Sequence, residues 1–205
     1  MASSFSALRR FAGAPSPRPS PGSRVEEHCE LCSVRLAPEH RHLLETTKRQ
    51  IVCACDPCAL RFENVLEGRF KLIPRDARAL RDFQISDADW ENFALPINLA
   101  FFFYSTPNER TIALYPSPAG ATESLLPLPA WESLVRQNPI LNSMQKDVEA
   151  LLVNRVEGKR DYFLAPIDKC FELVGTIRTH WRGLSGGEEV WREIERFFAR
   201  LNANA

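Results

Sequence analysis

The sequence has no net charge, no apolar run long enough to cross a bilayer, no internal repeat and no phosphate-binding glycine loop. Each absence excludes something. The 26 basic and 26 acidic residues cancel, so no bulk field draws the chain to nucleic acid or to an anionic membrane, and nucleic-acid binding is not expected as its main task. The most apolar stretch, residues 94–104 (Ala-Leu-Pro-Ile-Asn-Leu-Ala-Phe-Phe-Phe-Tyr), falls short of the roughly 20 residues of a membrane span and predicts a buried strand. The N-terminus lacks the apolar core of a secretory signal, so a cytoplasmic protein without a membrane span is expected. No Gly-x4-Gly-Lys-Ser/Thr segment is present to cradle a nucleotide.

What is present is ordinary in bulk. The chain has 205 residues, 44% hydrophobic and 25% charged, enough for a sizeable core in a soluble globular protein. Residues 1–24 are rich in Ser, Pro, Gly and Arg, cannot bury enough apolar surface to offset ordering entropy, and predict a disordered tail. A cysteine-rich module is expected over 25–75 and an α+β domain over 76–205.

Periodicity supplies the elements. Ile51-Val52 and Phe70–Ile73 predict short strands, and Leu60, Phe62, Val65 and Leu66 are spaced for a short helix between them. Ser86 and Asp89 have near capping-box spacing. Residues 98–105 and 111–115 flank a polar turn and predict a hairpin, after which Pro116-Ser-Pro-Ala-Gly120 predicts a break. A helix is predicted over 128–135. A second hairpin is predicted from 147–155 to 162–167, turning at Glu157-Gly158-Lys159. Helical spacing returns over 168–181. A last helix is predicted with Ser185 and Glu188 as its cap and Val190, Trp191, Ile194, Phe197, Phe198 and Leu201 as its apolar stripe. Hairpins without crossovers predict α+β: an antiparallel sheet with packed helices on one face, plus a small zinc-ribbon-like module.

The chemistry lies in the cysteines. Five of the six fall in the pattern Cys-x2-Cys, 20 residues, Cys-x-Cys-x2-Cys. In a reducing compartment such pairs more often bind metal than form disulfides. Cys29, Cys32, Cys55 and Cys58 are the expected ligands, each pair turning two sulfurs toward one ion, with Cys53 as a possible substitute for Cys55. Zinc is the expected metal; an iron or iron–sulfur centre is the alternative, because donor type alone does not separate metals of similar softness. His40 and His42 would share a side if they lay on a strand and could then ligate. With four thiolates already filling a zinc shell, they are expected to be exposed on a loop. Cys55-Asp-Pro-Cys58 also admits a thiol–disulfide exchange reading, although no βαβ frame precedes it.

Other features have simpler readings. Leu184-Ser-Gly-Gly-Glu188 has the wording of the signature loop of ATP-binding-cassette ATPases, but without a phosphate loop it predicts a flexible turn opening a helix. Asp147, Glu149, Asp161 and Asp168 are expected to be solvated or capping, Asp168 at the start of the helix that carries Cys170. Cys170 is expected in the core. Trp181 and Arg178 are candidate exposed anchors for a protein partner.

Beyond these readings, Cys29-Glu-Leu-Cys32, Cys53-Ala-Cys55, residues 118–126, 147–155 and 166–170, Leu173-Val-Gly-x-Ile-Arg178 and Trp181-x-Gly-Leu-Ser-Gly-Gly187 resemble a family of uncharacterised bacterial proteins often encoded beside nickel–iron uptake hydrogenases. The resemblance runs from about Glu26 to Leu201. That family has no established activity, so it carries no catalytic residue onto this chain. It implies a setting: a non-enzymatic accessory role near a hydrogenase-type redox enzyme, with a hydrogenase subunit or maturation factor as partner. An electron carrier with iron in the same ligands and a thiol–disulfide enzyme using Cys55 and Cys58 are the alternatives.

Overall fold

Strand β5 (Leu99–Ser105) and strand β8 (Glu149–Asn154) are buried at almost every position. A strand that is apolar on both sides needs cover on both faces. The computed structural model, which describes residues 26–65, 69–183 and 186–203, provides it. The expected tail over 1–24, Leu66, the side chain of Val65 and the Ser185 cap lie outside the described residues.

The six-stranded antiparallel sheet is ordered β4 (Arg78–Ala79), β9 (Asp161–Pro166), β8, β5, β6 (Arg110–Ser117) and β7 (Gly120–Ser124). Its central register sets Phe102 opposite Leu151 and Leu152 opposite Phe163. Phe101, Phe103, Leu152 and Phe163 pack on one face against α4 (Ile167–His180) and α5 (Gly187–Ala203). Phe102, Leu151 and Leu164 point the other way. There they meet Trp90 of α2 (Asp87–Glu91), Phe93, and Trp131 and Leu134 of α3 (Leu128–Gln137). Phe102 and Trp131 stack at 5.5 Å. Helices therefore cover both faces, not the single face expected.

Both predicted hairpins form, as β5–β6 and β8–β9. The Ser86–Asp89 capping box also forms, with the Asp89 amide donating to Ser86 Oγ at 3.0 Å. The expected break at residues 116–120 does not. Strand β6 continues through Ser117, and Gly120, at φ 124°, opens β7 opposite it. Pro116 is tolerated because β5 pairs with β6 only as far as Leu114, so its missing N–H falls where no second strand needs it. In α5, Val190, Ile194, Phe197, Phe198 and Leu201 are buried, but Trp191 departs from the expected stripe and is 36% exposed.

The cysteines sit on a second, three-stranded sheet ordered β2 (Gln50–Ala54), β1 (Arg41–Glu45) and β3 (Phe70–Leu72), with α1 (Asp56–Val65) beside it. One face holds a small core of Cys29, Leu43, Val52, Ala54, Ala59 and Phe70. The other face contributes Leu44 and Ile51 to the large core under α4 and α5, joined by Ile73. Alternation along β1 and β2 thus splits their side chains between two cores.

An ion pair with a buried carboxylate and a partly buried ammonium reinforces this seam. Asp147, at φ 72°, is 3% exposed. It accepts from Lys71 Nζ of β3 at 2.6 Å, from the Thr106 amide at 2.6 Å and from the Thr106 hydroxyl. Glu149, also buried, accepts from the Gln145 amide at 2.9 Å and lies 3.4 Å from Arg78 Nη2. Asp161 accepts from Asn154 Nδ2 at 2.9 Å. The expectation of solvated or capping carboxylates fails for Asp147 and Glu149, because each closes hydrogen bonds between elements distant in sequence. Replacing Asp147 by Ala strands the partly buried Lys71 ammonium and places a methyl side chain at positive φ. The expected loss is about 3 kcal/mol, read as a shift in the denaturant midpoint. A midpoint within about 0.5 kcal/mol of wild type would show that the pair does not hold the seam.

Candidate metal centre

The Cys29–Cys32 turn is built by its own backbone. The Cys29 amide donates to the Val34 carbonyl at 2.8 Å and the Ser33 amide to the Cys29 carbonyl at 2.7 Å. Ser33 adopts φ 63°, which lets the chain fold back on itself. An isolated antiparallel bridge between His28 and Arg35 closes the loop. The second pair straddles the start of α1: Cys55 immediately precedes it, Pro57 occupies its first turn, where a missing N–H costs nothing, and Cys58 follows. The two turns are held together by the Glu30 amide, which donates to the Cys53 carbonyl at 2.9 Å, and by the Cys53 amide, which donates to Glu30 Oε1 at 2.7 Å.

The result is a convergence of sulfurs. Those of Cys29, Cys32, Cys55 and Cys58 all lie within 4.8 Å of one another. Cys32 and Cys55 Sγ are 3.7 Å apart. A disulfide would bring them to about 2 Å. A regular tetrahedron with zinc–sulfur bonds of about 2.3 Å has an edge of about 3.8 Å. The donor set and this separation therefore suit a single tetrahedral ion. Cys29 is fully buried beneath the site and Cys32 is at its exposed rim.

Electrostatics separate the thiols. Burial raises Cys29, but amide N–H groups of Cys55, Leu31 and Cys32 outweigh it and hold the thiol down at about 6. Burial and hydrogen bonds with Cys55, Cys32 and Cys29 push Cys58 up to about 12. Cys32 accepts from the Val34 amide, which lowers its pKa, yet the hydrogen bond with the Cys29 thiol, then burial and Cys55, leave it above the ordinary value. One negative charge is accommodated easily and further ones repel it, an arrangement a divalent cation reverses.

The remaining candidates fall elsewhere. Cys53 lies not with the four sulfurs but with His40 and His42. The expectation that these histidines are exposed on a loop fails for both in exposure and for His42 in position, while His40 does sit on the loop before β1. His42 lies in β1 opposite Cys53, and the His40 side chain is only 7% exposed. Polar residues at its start hid β1. Asp168 is not the N-cap residue of α4, which is Pro166, but its Oδ1 accepts from the first-turn Lys169 amide at 2.8 Å, and its Oδ2 lies 2.7 Å from His42 Nδ1. Nothing in the local sequence around Asp168 signals this contact, which spans 126 positions. Cys170 is buried in the large core, as expected. Trp181 is partly buried against that core, with Nε1 donating to the Gly183 carbonyl at 2.9 Å, so of the two proposed partner anchors only Arg178 is exposed. Among the described residues no helix is long and apolar enough to cross a membrane.

Residues 28–205 match the family of unknown function DUF5947, and the chain belongs to that family. Neither curated proteins nor solved structures give a match.

Because Cys29 ionises near 6 while Cys58 holds its proton to about 12, an ion entering the site at neutral pH must displace protons. Zinc affinity is therefore expected to rise with pH and to fall steeply below about 6, with proton release on uptake. Chelator competition over a pH series checks this, and a flat profile contradicts thiolate ligation.

Proposed function

We propose that the chain is a non-enzymatic metal-binding accessory protein that supports the assembly or function of a hydrogenase-type redox enzyme through protein–protein contacts. Zinc, held by Cys29, Cys32, Cys55 and Cys58, staples its front module. The observation that carries the metal reading is the meeting of four thiols on one point, two from each turn. The small core beneath them, six buried residues of which one is Cys29, is too slight to hold two such turns without a further tie. The accessory role rests on the resemblance in wording to proteins encoded beside uptake hydrogenases.

Iron in the same ligands, making the chain an electron carrier, is a second reading favoured by one feature. Amide N–H groups donate to the Cys29 sulfur, and such bonds tune the potential of iron–thiolate centres. Thiol–disulfide exchange is less well supported, because the depressed thiol, Cys29, is the buried one and Cys58 is pushed up.

Protein purified under reducing conditions is expected to be colourless, with metal analysis finding zinc. Chelation should lower its thermal midpoint by several degrees, as for a structural ion. Visible absorbance bleached by dithionite would replace the zinc reading with the iron one. The accessory role is tested by deleting the gene in its host: lowered hydrogenase activity is expected, together with co-purification of a hydrogenase subunit or maturation factor. Unchanged activity with no hydrogenase polypeptide recovered would overturn it.

A further inference from the structure

Cys53 has companions of its own. Its sulfur and one ring nitrogen each of His40 and His42 lie within 4.8 Å of one another. Strand register places two of the three. His42 pairs with Cys53 across β1 and β2, on the face that carries Leu44 and Ile51 toward the large core. His40 precedes β1 on the incoming loop; its bond to the Ala37 carbonyl holds the ring there, and it meets the His42 ring edge-on, centroids 4.8 Å apart. The group therefore sits at the seam between the small sheet and the body.

The hydrogen bonds identify the free atoms. His40 Nδ1 is 3.0 Å from the Ala37 carbonyl, which can only accept. This bond puts the proton on Nδ1 and leaves Nε2 with a bare lone pair. That Nε2 is buried and has no hydrogen-bond partner among the described residues. Protonating it would not help, since a buried N–H would then lack an acceptor. His42 Nδ1 likewise donates to Asp168 Oδ2 at 2.7 Å, again leaving Nε2 free. A carboxylate behind an imidazole is the usual support of a ligating histidine. Two further carboxylates add negative charge: Glu27 Oε2 is 3.6 Å from His40 Nδ1, and Glu30 Oε1 accepts from the Cys53 amide.

We propose that His40, His42 and Cys53 form a second metal site, distinct from the four-cysteine centre. It takes a borderline divalent transition ion of the zinc, cobalt or nickel kind through two imidazole nitrogens and one thiolate. Asp168 is its positioning residue. Three protein donors leave a fourth position for water or for a donor from outside, unlike the closed shell of four cysteines. An ion here links β1 and β2, and through Asp168 it draws α4 of the body against the small sheet.

The test uses the full chain, stripped of metal under reducing conditions, reloaded with Zn²⁺ and counted by native mass spectrometry. Wild type is expected to hold one ion more than Cys53→Ser and one more than His40→Gln, whatever the four-cysteine centre holds. Failure of that centre alone would lower all three counts equally. With Co²⁺, the wild-type-minus-Cys53→Ser difference spectrum should carry a thiolate-to-cobalt band. Asp168→Asn should weaken the extra site about 10-fold or more. Equal metal counts in wild type and His40→Gln overturn the proposal. So does loss of an ion in Cys53→Ser alone, which would make Cys53 a ligand of the first centre. If Cys53→Ser does not fold, the His40→Gln count decides.

Discussion

Four sulfurs brought within contact of one another are the constraint from which the front of this protein follows. As thiolates they repel, and as thiols they make only weak hydrogen bonds, so the cluster gains most from a cation at its centre. The two turns that present them are each locked by backbone hydrogen bonds, and Glu30 ties one to the other through both its amide and its carboxylate. Little apolar surface lies beneath them. The arrangement is preorganised by the backbone for an ion that four sulfurs could coordinate.

The small sheet is not an appendage. Strands β1 and β2 give one face to their own core and the other to the core under α4 and α5. Polar groups cross the same seam: Lys71 to Asp147, and His42 to Asp168. A pair such as Lys71–Asp147 adds less net stability than its Coulomb attraction suggests, because both groups lose hydration. Its effect is to specify how the sheet docks, since either partner left alone there would be costly. Whatever alters the small sheet therefore acts on a surface continuous with the body.

Much of the body was legible from pattern. Polar turns between apolar runs marked both hairpins, and helical spacing marked α3, α4 and α5. The features that escaped share a cause: each depends on a neighbour outside its own element. Pro116 looked like a stop because only the missing strand on one side makes it tolerable. Trp191 fits the stripe of α5 by spacing yet lies at its edge, beside Trp181 at 6.4 Å. Helices on both faces were not expected, because reading residues 98–105 as one buried strand did not say what covers its second face.

By itself the sequence determined the four sulfur donors of the candidate centre, because two short cysteine spacings each set a local turn. It also determined the antiparallel sheet, through hairpins closed by nearby residues. Only the tertiary structure decided what the histidines and carboxylates do. His42 and Cys53 meet through strand register, His40 joins them from the loop before β1, Asp168 reaches His42 from another sheet's helix, and Asp147 is buried by packing. Polar side chains take their roles from what surrounds them, and those surroundings are assembled from residues up to 126 positions apart.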